Sequence, residues 1–255
     1  MMIDAHCHLS LSAFDVDLEE VKARARCAGI MHMIDAGTTA DRFKRQCTLA
    51  ADASISICHG LHPWFLDVHR IDTDAGHNDL DCLERMLGSG QAVAVGECGL
   101  DRRMGRLDEQ WSLLNAQLRL AKTHDLPVVL HCVGMNDELS KRLREMDLPR
   151  RGLIHAFSGS WQQARRLLDL GYLLGVGGAM THPGAHRLHR VVAALPDDGF
   201  VLETDSPDMQ PAGITGRNEP SHIVQTCRKA AELRHVSADT LSRYTADNTT
   251  RLFRL

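Results

Sequence analysis

Two histidines one residue apart, His6 and His8, close the short apolar run that begins at Met2. If that run is a strand, side chains at i and i+2 leave the same face, so the two imidazoles converge while Cys7 points away. That arrangement suits two nitrogen ligands on one ion. Read alone, the pair is equally two satisfied or solvent-facing histidines. Four later apolar runs, however, each end in a further nitrogen or oxygen donor: Glu97, His131, His155 and Asp205. Any single one of these histidines is more simply a structural residue. Six such donors at equivalent strand ends are hard to explain without a metal, because burying unpaired charge is costly.

Four histidines and two carboxylates exceed one tetrahedral site but fit two cations sharing a carboxylate, with Glu97 as the bridge. Two ions about 3.5–4 Å apart acidify a bridging water to hydroxide and stabilise charge developing on a phosphoryl or carbonyl oxygen. Asp205 would bind one ion and accept the proton of that water, since a general base must lie within hydrogen-bond reach of it.

The elements that must position these donors alternate along the chain. Strands are predicted over 2–6, 31–36, 55–59, 92–97, 127–131, 152–155, 172–176 and 200–205. Amphipathic helices are predicted over 18–28, 39–52, 79–87, 109–124, 136–146, 160–170, 183–195, 220–234 and 238–252. Gly29 stops the first helix and Ser160 caps the sixth. The uninterrupted apolar runs, such as Ala92 to Val95, suit parallel strands buried on both faces. Eight strand–helix units without a Pro/Gly/Ser-rich linker predict a single α/β domain over residues 1–255, a closed (β/α)8 TIM-like barrel. In such barrels the active site lies at the carboxyl ends of the strands, where all six donors fall. No GxGxxG or P-loop sequence is present to support an open nucleotide-binding sheet.

Composition narrows the class further. With 255 residues, 44% hydrophobic and 24% charged, the chain is that of an ordinary globular protein. A net charge of -4 without a long basic run gives no footprint for tight binding along extended nucleic acid. The cluster Arg102, Arg103 and Arg106 is either a local phosphate site or a solvated face. The eight cysteines show no CxxC spacing and read as buried reduced thiols, so a cytoplasmic location is expected. No signal-like segment or membrane-length apolar run is seen, so the Asn248-Thr249-Thr250 sequon reads as chance. No obligate protein partner is readable.

Several segments together carry a resemblance: Asp4-Ala5-His6-Cys7-His8, Gly60-Leu61-His62-Pro63, Val95 to Asp101, Pro127 to His131, His155 to Ser160, Glu203-Thr204-Asp205-Ser206-Pro207 and Arg217-Asn218-Glu219-Pro220. In order and spacing they resemble the TatD family of metal-dependent hydrolases. The closest likeness is to its YjjV-type branch, through Gly175 to Gly178 and Asp205 to Met209. The resemblance implies an amidohydrolase-like barrel with a dinuclear divalent-metal centre: His6, His8, Glu97 and Asp205 around one ion, and Glu97, His131 and His155 around the other. It also implies hydrolysis, in several members a magnesium-dependent trimming of DNA ends, and places His62 near the substrate. Three positions depart from the family pattern. Val133 stands where many relatives carry an arginine, Cys98 where isoleucine is usual, and Ala156 where cysteine or glycine is usual. Without that arginine, Arg102 or Arg103 is the expected phosphate contact.

The expected function is therefore hydrolysis of a phosphodiester, in DNA or elsewhere, bound locally at the pocket. Hydrolysis of a small amide, lactone or ester is the alternative, and a non-catalytic metal-binding role the second. Imidazole-rich ligation leans towards zinc and carboxylate with water towards magnesium, with manganese also suitable; the resemblance favours magnesium in use. His182, His186 and His189 are expected to share a helical face, more simply as a polar surface than as a zinc site. Trp64, Trp111 and Trp161 do not interleave with basic residues and read as packing, with Trp64 at the pocket mouth.

Overall fold

The computed structural model describes residues 2–71 and 78–255. Its eight strands are β1 (Met2–Cys7), β2 (Ile30–Ala36), β3 (Ile55–His59), β4 (Ala92–Asp101), β5 (Val128–Val133), β6 (Gly152–Ile154), β7 (Leu173–Val176) and β8 (Phe200–Leu202). They pair in parallel and in sequence order from β1 to β8. The intervening helices are α1 (Leu18–Cys27), α2 (Phe43–Leu49), α3 (Asp79–Gly88), α4 (Leu107–Thr123), α5 (Asn136–Met146), α6 (Trp161–Asp169) and α7 (His186–Ala194), followed by α8 (Ile223–Arg234) and α9 (Ala238–Phe253). The expected β/α barrel is thus what forms. Among the described residues, no helix is long and apolar enough to cross a membrane.

The seam between β8 and β1 is closed by specific bonds rather than a regular ladder. The Asp205 N–H donates to the His6 carbonyl at 2.9 Å, and the His8 N–H to the Ser206 carbonyl at 2.8 Å. Buried Asp4 accepts from the Thr204 N–H at 2.9 Å and from its hydroxyl at 2.6 Å. Barrel closure and ligand placement therefore share one set of contacts.

Two apolar layers hold the walls. The larger lies between strands and helices and includes Cys7, Leu9, Val95, Cys98 and Leu130. The smaller fills the lumen with inward-facing residues such as Ala5, Ile34, Ala94, Val129 and Val201, plugged by Leu252 and Phe253 of α9. Asn248 is buried and donates to the carbonyls of Asp197 and Phe200, both at 2.8 Å, at the start of β8. Its amide is a structural bond, in keeping with a sequon met by chance.

Several boundaries differ from expectation, each for a local reason. β4 continues past Glu97 to Asp101, with a register irregularity between Val95 and Cys98. Such irregularities re-aim side chains beside functional sites, and here Glu97 faces inward although Ala94 does too. β8 ends at Leu202, so Asp205 lies in the loop beyond it, at φ 56°. Ala40–Arg42 and Pro220–His222 form single 3-10 turns ahead of shorter α2 and α8. α7 begins at His186, leaving His182 in the preceding extended segment.

Gly99 shows how tightly β4 and β5 approach. A Cβ there would lie 2.0 Å from the His131 carbonyl oxygen, at a φ of +148°. Gly99→Ala is expected to destabilise the fold by more than about 2 kcal/mol, because backbone rather than a flexible side chain must give way. A denaturant midpoint unchanged from the parent protein would contradict this.

Candidate metal centre

His6 near the end of β1 and His8 just past it reach the same side, while Cys7 is buried in the outer layer with its Sγ on the Ile34 carbonyl; the register irregularity between Asp4 and Cys7 lets Ala5 face the lumen as well. His6 Nε2 and His8 Nε2 are 3.1 Å apart. Glu97 Oε2 lies 3.3 Å from the first and 3.2 Å from the second, and Asp205 Oδ1 lies 3.3 Å from each. Donor atoms about 3.2 Å apart suit a cation about 2 Å from each, the bond length of imidazole and carboxylate to zinc-sized cations. His6, His8 and Glu97 form one group that could share a cation, and Asp205 stands against both histidines.

The other oxygen of Glu97 faces a second set. Oε1 is 2.7 Å from His155 Nε2 and 3.1 Å from His131 Nδ1, and those two nitrogens are 3.2 Å apart. Donor atoms of His6, His155 and Asp205 also fall within 4.8 Å of one another, which ties the two sets into one cluster. The structure thus brings all six strand-end residues into one cluster, the four histidines around the two oxygens of Glu97 and Asp205 against His6 and His8. The arrangement can hold two cations through one bridging carboxylate.

Surrounding bonds orient the rings. His8 Nδ1 donates to the Ala36 carbonyl at 2.8 Å, leaving Nε2 for the cluster. Asp101 Oδ2 stands 3.3 Å from His131 Nε2 and so turns Nδ1 towards Glu97. The same Asp101 oxygen accepts from Trp64 Nε1 at 2.8 Å and from Arg103 at 2.8 Å. His62 Nδ1 accepts from the Trp64 N–H at 3.1 Å, which leaves the proton on Nε2, 2.9 Å from Glu97 Oε1. His62 therefore enters the site as a hydrogen-bond donor to Glu97 rather than as a free lone pair.

The electrostatics follow from burial. Burial opposes ionisation of Glu97, but His155, His62 and His6 around it hold the carboxyl well below the usual carboxylate range. Burial likewise opposes ionisation of Asp205, which the bonds to His6 and His8 outweigh. Burial disfavours charged imidazoles, yet Glu97 and Asp205 push His6 up to about 10 and raise His8 as well. His62 moves the other way, down to about 4, because burial dominates. At neutral pH the cation-free protein therefore holds a proton on His6 that a cation must displace. Cation uptake at pH 7 is expected to release protons, and affinity to rise with pH as this ring loses its proton. Calorimetric heats that scale with buffer ionisation enthalpy would show the release; identical heats in every buffer would contradict it.

Two functional-looking groups stood in segments that carry the resemblance but were given no role from the sequence. Asp101, at the end of the run that begins at Ala92, orients His131. Glu203 is fully buried, its Oε2 has no hydrogen-bond partner, and burial pushes its carboxyl up to about 8. Glu203 Oε1 lies 3.9 Å from His155 Nδ1.

The arginines are already engaged. Arg102 bonds to the Gly134 carbonyl at 2.9 Å and to Glu138 at 2.7 Å, away from the cleft. Arg103 reaches the cleft edge but grips Asp101 through two bonds, at 3.1 and 2.8 Å. Arg106 pairs with Glu109 at 2.6 Å and with Asp67. His182 and His189 bond separate backbone carbonyls, those of Gln210 and Met180, so the three later histidines form no ligand cluster among the described residues. Trp64 stands 46% exposed at the cleft mouth, as expected, while Trp111 and Trp161 pack against the outer core.

The family model for TatD related DNase matches residues 3–254. The uncharacterized metal-dependent hydrolase YjjV of Escherichia coli K12 is 40% identical over 98% of this chain and 97% of its own. The 3'-5' ssDNA/RNA exonuclease TatD of Dickeya dadantii is 31% identical over 99% of this chain and 98% of its own. The crystal structure of the E. coli TatD homologue YjjV superposes with a TM-score of 0.93 at 39% identity, covering 100% of this chain and 98% of that one. The chain belongs to the TatD family and is a metal-dependent hydrolase of that family.

Proposed function

We propose that the protein hydrolyses phosphodiester bonds, with the end of a single-stranded nucleic acid as its first substrate class. The reading is carried by the two oxygens of Glu97, each facing its own donor set. His6, His8, Glu97 and Asp205 would hold one divalent cation, and Glu97, His131 and His155 a second. When bound, the pair supplies Lewis-acid activation of water and of the phosphoryl oxygens. Magnesium is the working cation in this reading, and the imidazole-rich donors give manganese and zinc tighter binding.

The residues divide the remaining work by exposure. Asp205 is the most open of the six, with 16% of its side chain accessible against 2% for Glu97. Its Oδ1 faces His6 and His8, so Oδ2 is the acceptor for the proton of the attacking water. His62 Nε2–H donates to Glu97 Oε1 and so steadies the shared carboxylate. The relatives named as ssDNA/RNA exonucleases support a nucleic-acid substrate. Because Arg102, Arg103 and Arg106 are paired within the chain, contact is local to one phosphodiester.

A second reading, hydrolysis of a small carboxylic ester, lactone or amide, is favoured by the apolar wall beside the centre, where Val133, Phe157 and Val176 stand. Metal-stripped protein resupplied with magnesium, manganese or zinc separates the two. Cation-dependent cleavage of single-stranded DNA and of a simple phosphodiester is expected. Absence of cleavage with every cation, while about two remain bound, would sink the phosphodiesterase reading and favour carbonyl substrates.

A further inference from the structure

The cleft that contains the donors is small, about 140 Å³, and is bounded by His8, His62, Glu97 and Asp205. Beside it opens a second cavity of about 220 Å³, whose inner end is formed by His131, His155 and Asp205. Its body is made by Leu174 and Val176 of β7, by Met180, and by Leu188, Val191 and Val192 along α7. Met180, Val191 and Val192 are each 2% exposed, so the far wall is closed core surface. None of these side chains takes part in holding a cation or moving a proton.

A dry apolar cavity of about 150 Å³ accommodates benzene, so this one has room for a ring system larger than a single phenyl. Its chemistry narrows the occupant. Among the described residues, the exposed hydroxyl of Ser158 is the one hydroxyl in the lining, and the far wall carries no side-chain donor or acceptor. A nucleobase seated there would leave its polar edge unpaired, at a cost of about 1–3 kcal/mol per group. Among the described residues lining cleft and cavity, Arg103 is the one Lys or Arg, and Asp101 already holds it. A second phosphate entering the cavity would therefore meet no free cation.

We propose that this cavity binds an uncharged apolar group attached directly to the scissile phosphate, which gives the protein a further activity on small phosphodiesters carrying an aryl or similarly bulky hydrocarbon substituent. The inference rests on the phosphodiesterase reading for the reaction itself, and on the cavity alone for the preference. Hydrolysis adds water across the phosphorus–oxygen bond: the phosphoryl group gains the water oxygen, and the leaving alcohol gains a proton. The apolar substituent stays on the phosphate in the cavity.

The test keeps the leaving group constant. Cation-loaded protein is given 4-nitrophenyl phosphodiesters whose second substituent is methyl, phenyl, 2-naphthyl or 5'-thymidyl, and kcat/KM is compared. Phenyl and naphthyl esters are expected to exceed the methyl ester by roughly ten- to hundredfold, in line with what an added apolar group gains in a matching pocket. Leu188→Trp, which fills the cavity from a half-buried position, is expected to lower that ratio at least tenfold. Equal rates for methyl and aryl esters, or a thymidyl ester preferred over the naphthyl, would overturn the proposal. Calorimetric binding of methyl(2-naphthyl)phosphinate and dimethylphosphinate, whose substituents are joined to phosphorus by P–C bonds and which have no ester to cleave, separates the two readings. Tighter naphthyl binding without hydrolysis of any ester leaves the cavity assignment standing and removes the phosphodiesterase reading, whereas equal binding removes the cavity assignment.

Discussion

Glu97→Gln is expected to lower kcat by about 10³-fold or more, the scale on which groups acting as one unit fail together. The reason is geometric. Glu97 Oε2 serves His6 and His8 while Oε1 serves His131 and His155. A glutamine presents one oxygen and one NH2, so whichever way the amide turns, one donor set loses its acceptor. The substitution also removes the charge that pushes His6 upward, so the ring loses its proton at lower pH than in the parent protein. Steady-state kinetics at saturating manganese read the effect. A variant within about tenfold of the parent would show that the carboxylate does not hold the centre together.

Asp205→Asn is expected to cost about 10²–10⁴ in kcat while the barrel stays folded, the range expected for removing a positioned general base. Asparagine is the informative replacement because Asp205 adopts φ 56°, a left-handed conformation that asparagine tolerates and most residues do not. It also keeps the N–H bond to His6 that helps to close the seam. The variant retains an oxygen for the cation while losing the proton acceptor and the negative charge that raises His6 and His8. Unchanged thermal unfolding with activity lost assigns the group to chemistry. Retained activity would move the general base elsewhere.

The barrel was readable because parallel strands buried on both faces have to be apolar throughout, and the runs from Ala92, Pro127 and Phe200 stand out for that reason. The donors were readable because a charged or imidazole side chain that closes such a run needs a partner, and in a barrel those ends meet. The length of β4 beyond Glu97 was not readable. Its irregular register with β5 depends on glycines at 96 and 99 accepting close backbone contact, a tertiary condition. The state of the arginines was hidden for a similar reason: only the fold shows that Asp101, Glu138 and Glu109 occupy them. The apolar cavity depends on how α7 lies against β7, and helical periodicity alone gives no such position. His182 was misplaced on α7 because Pro183 reads as a first-turn proline, whereas the helix begins three residues later.

The most direct test of the shared-carboxylate centre is the number of manganese ions bound per chain, measured by equilibrium dialysis with elemental analysis on the parent protein and on Glu97→Gln. Two ions per chain in the parent and at most one in the variant is the predicted result. A parent protein that saturates at one ion, or a variant that still binds two, would contradict the assignment of Glu97 as the bridge.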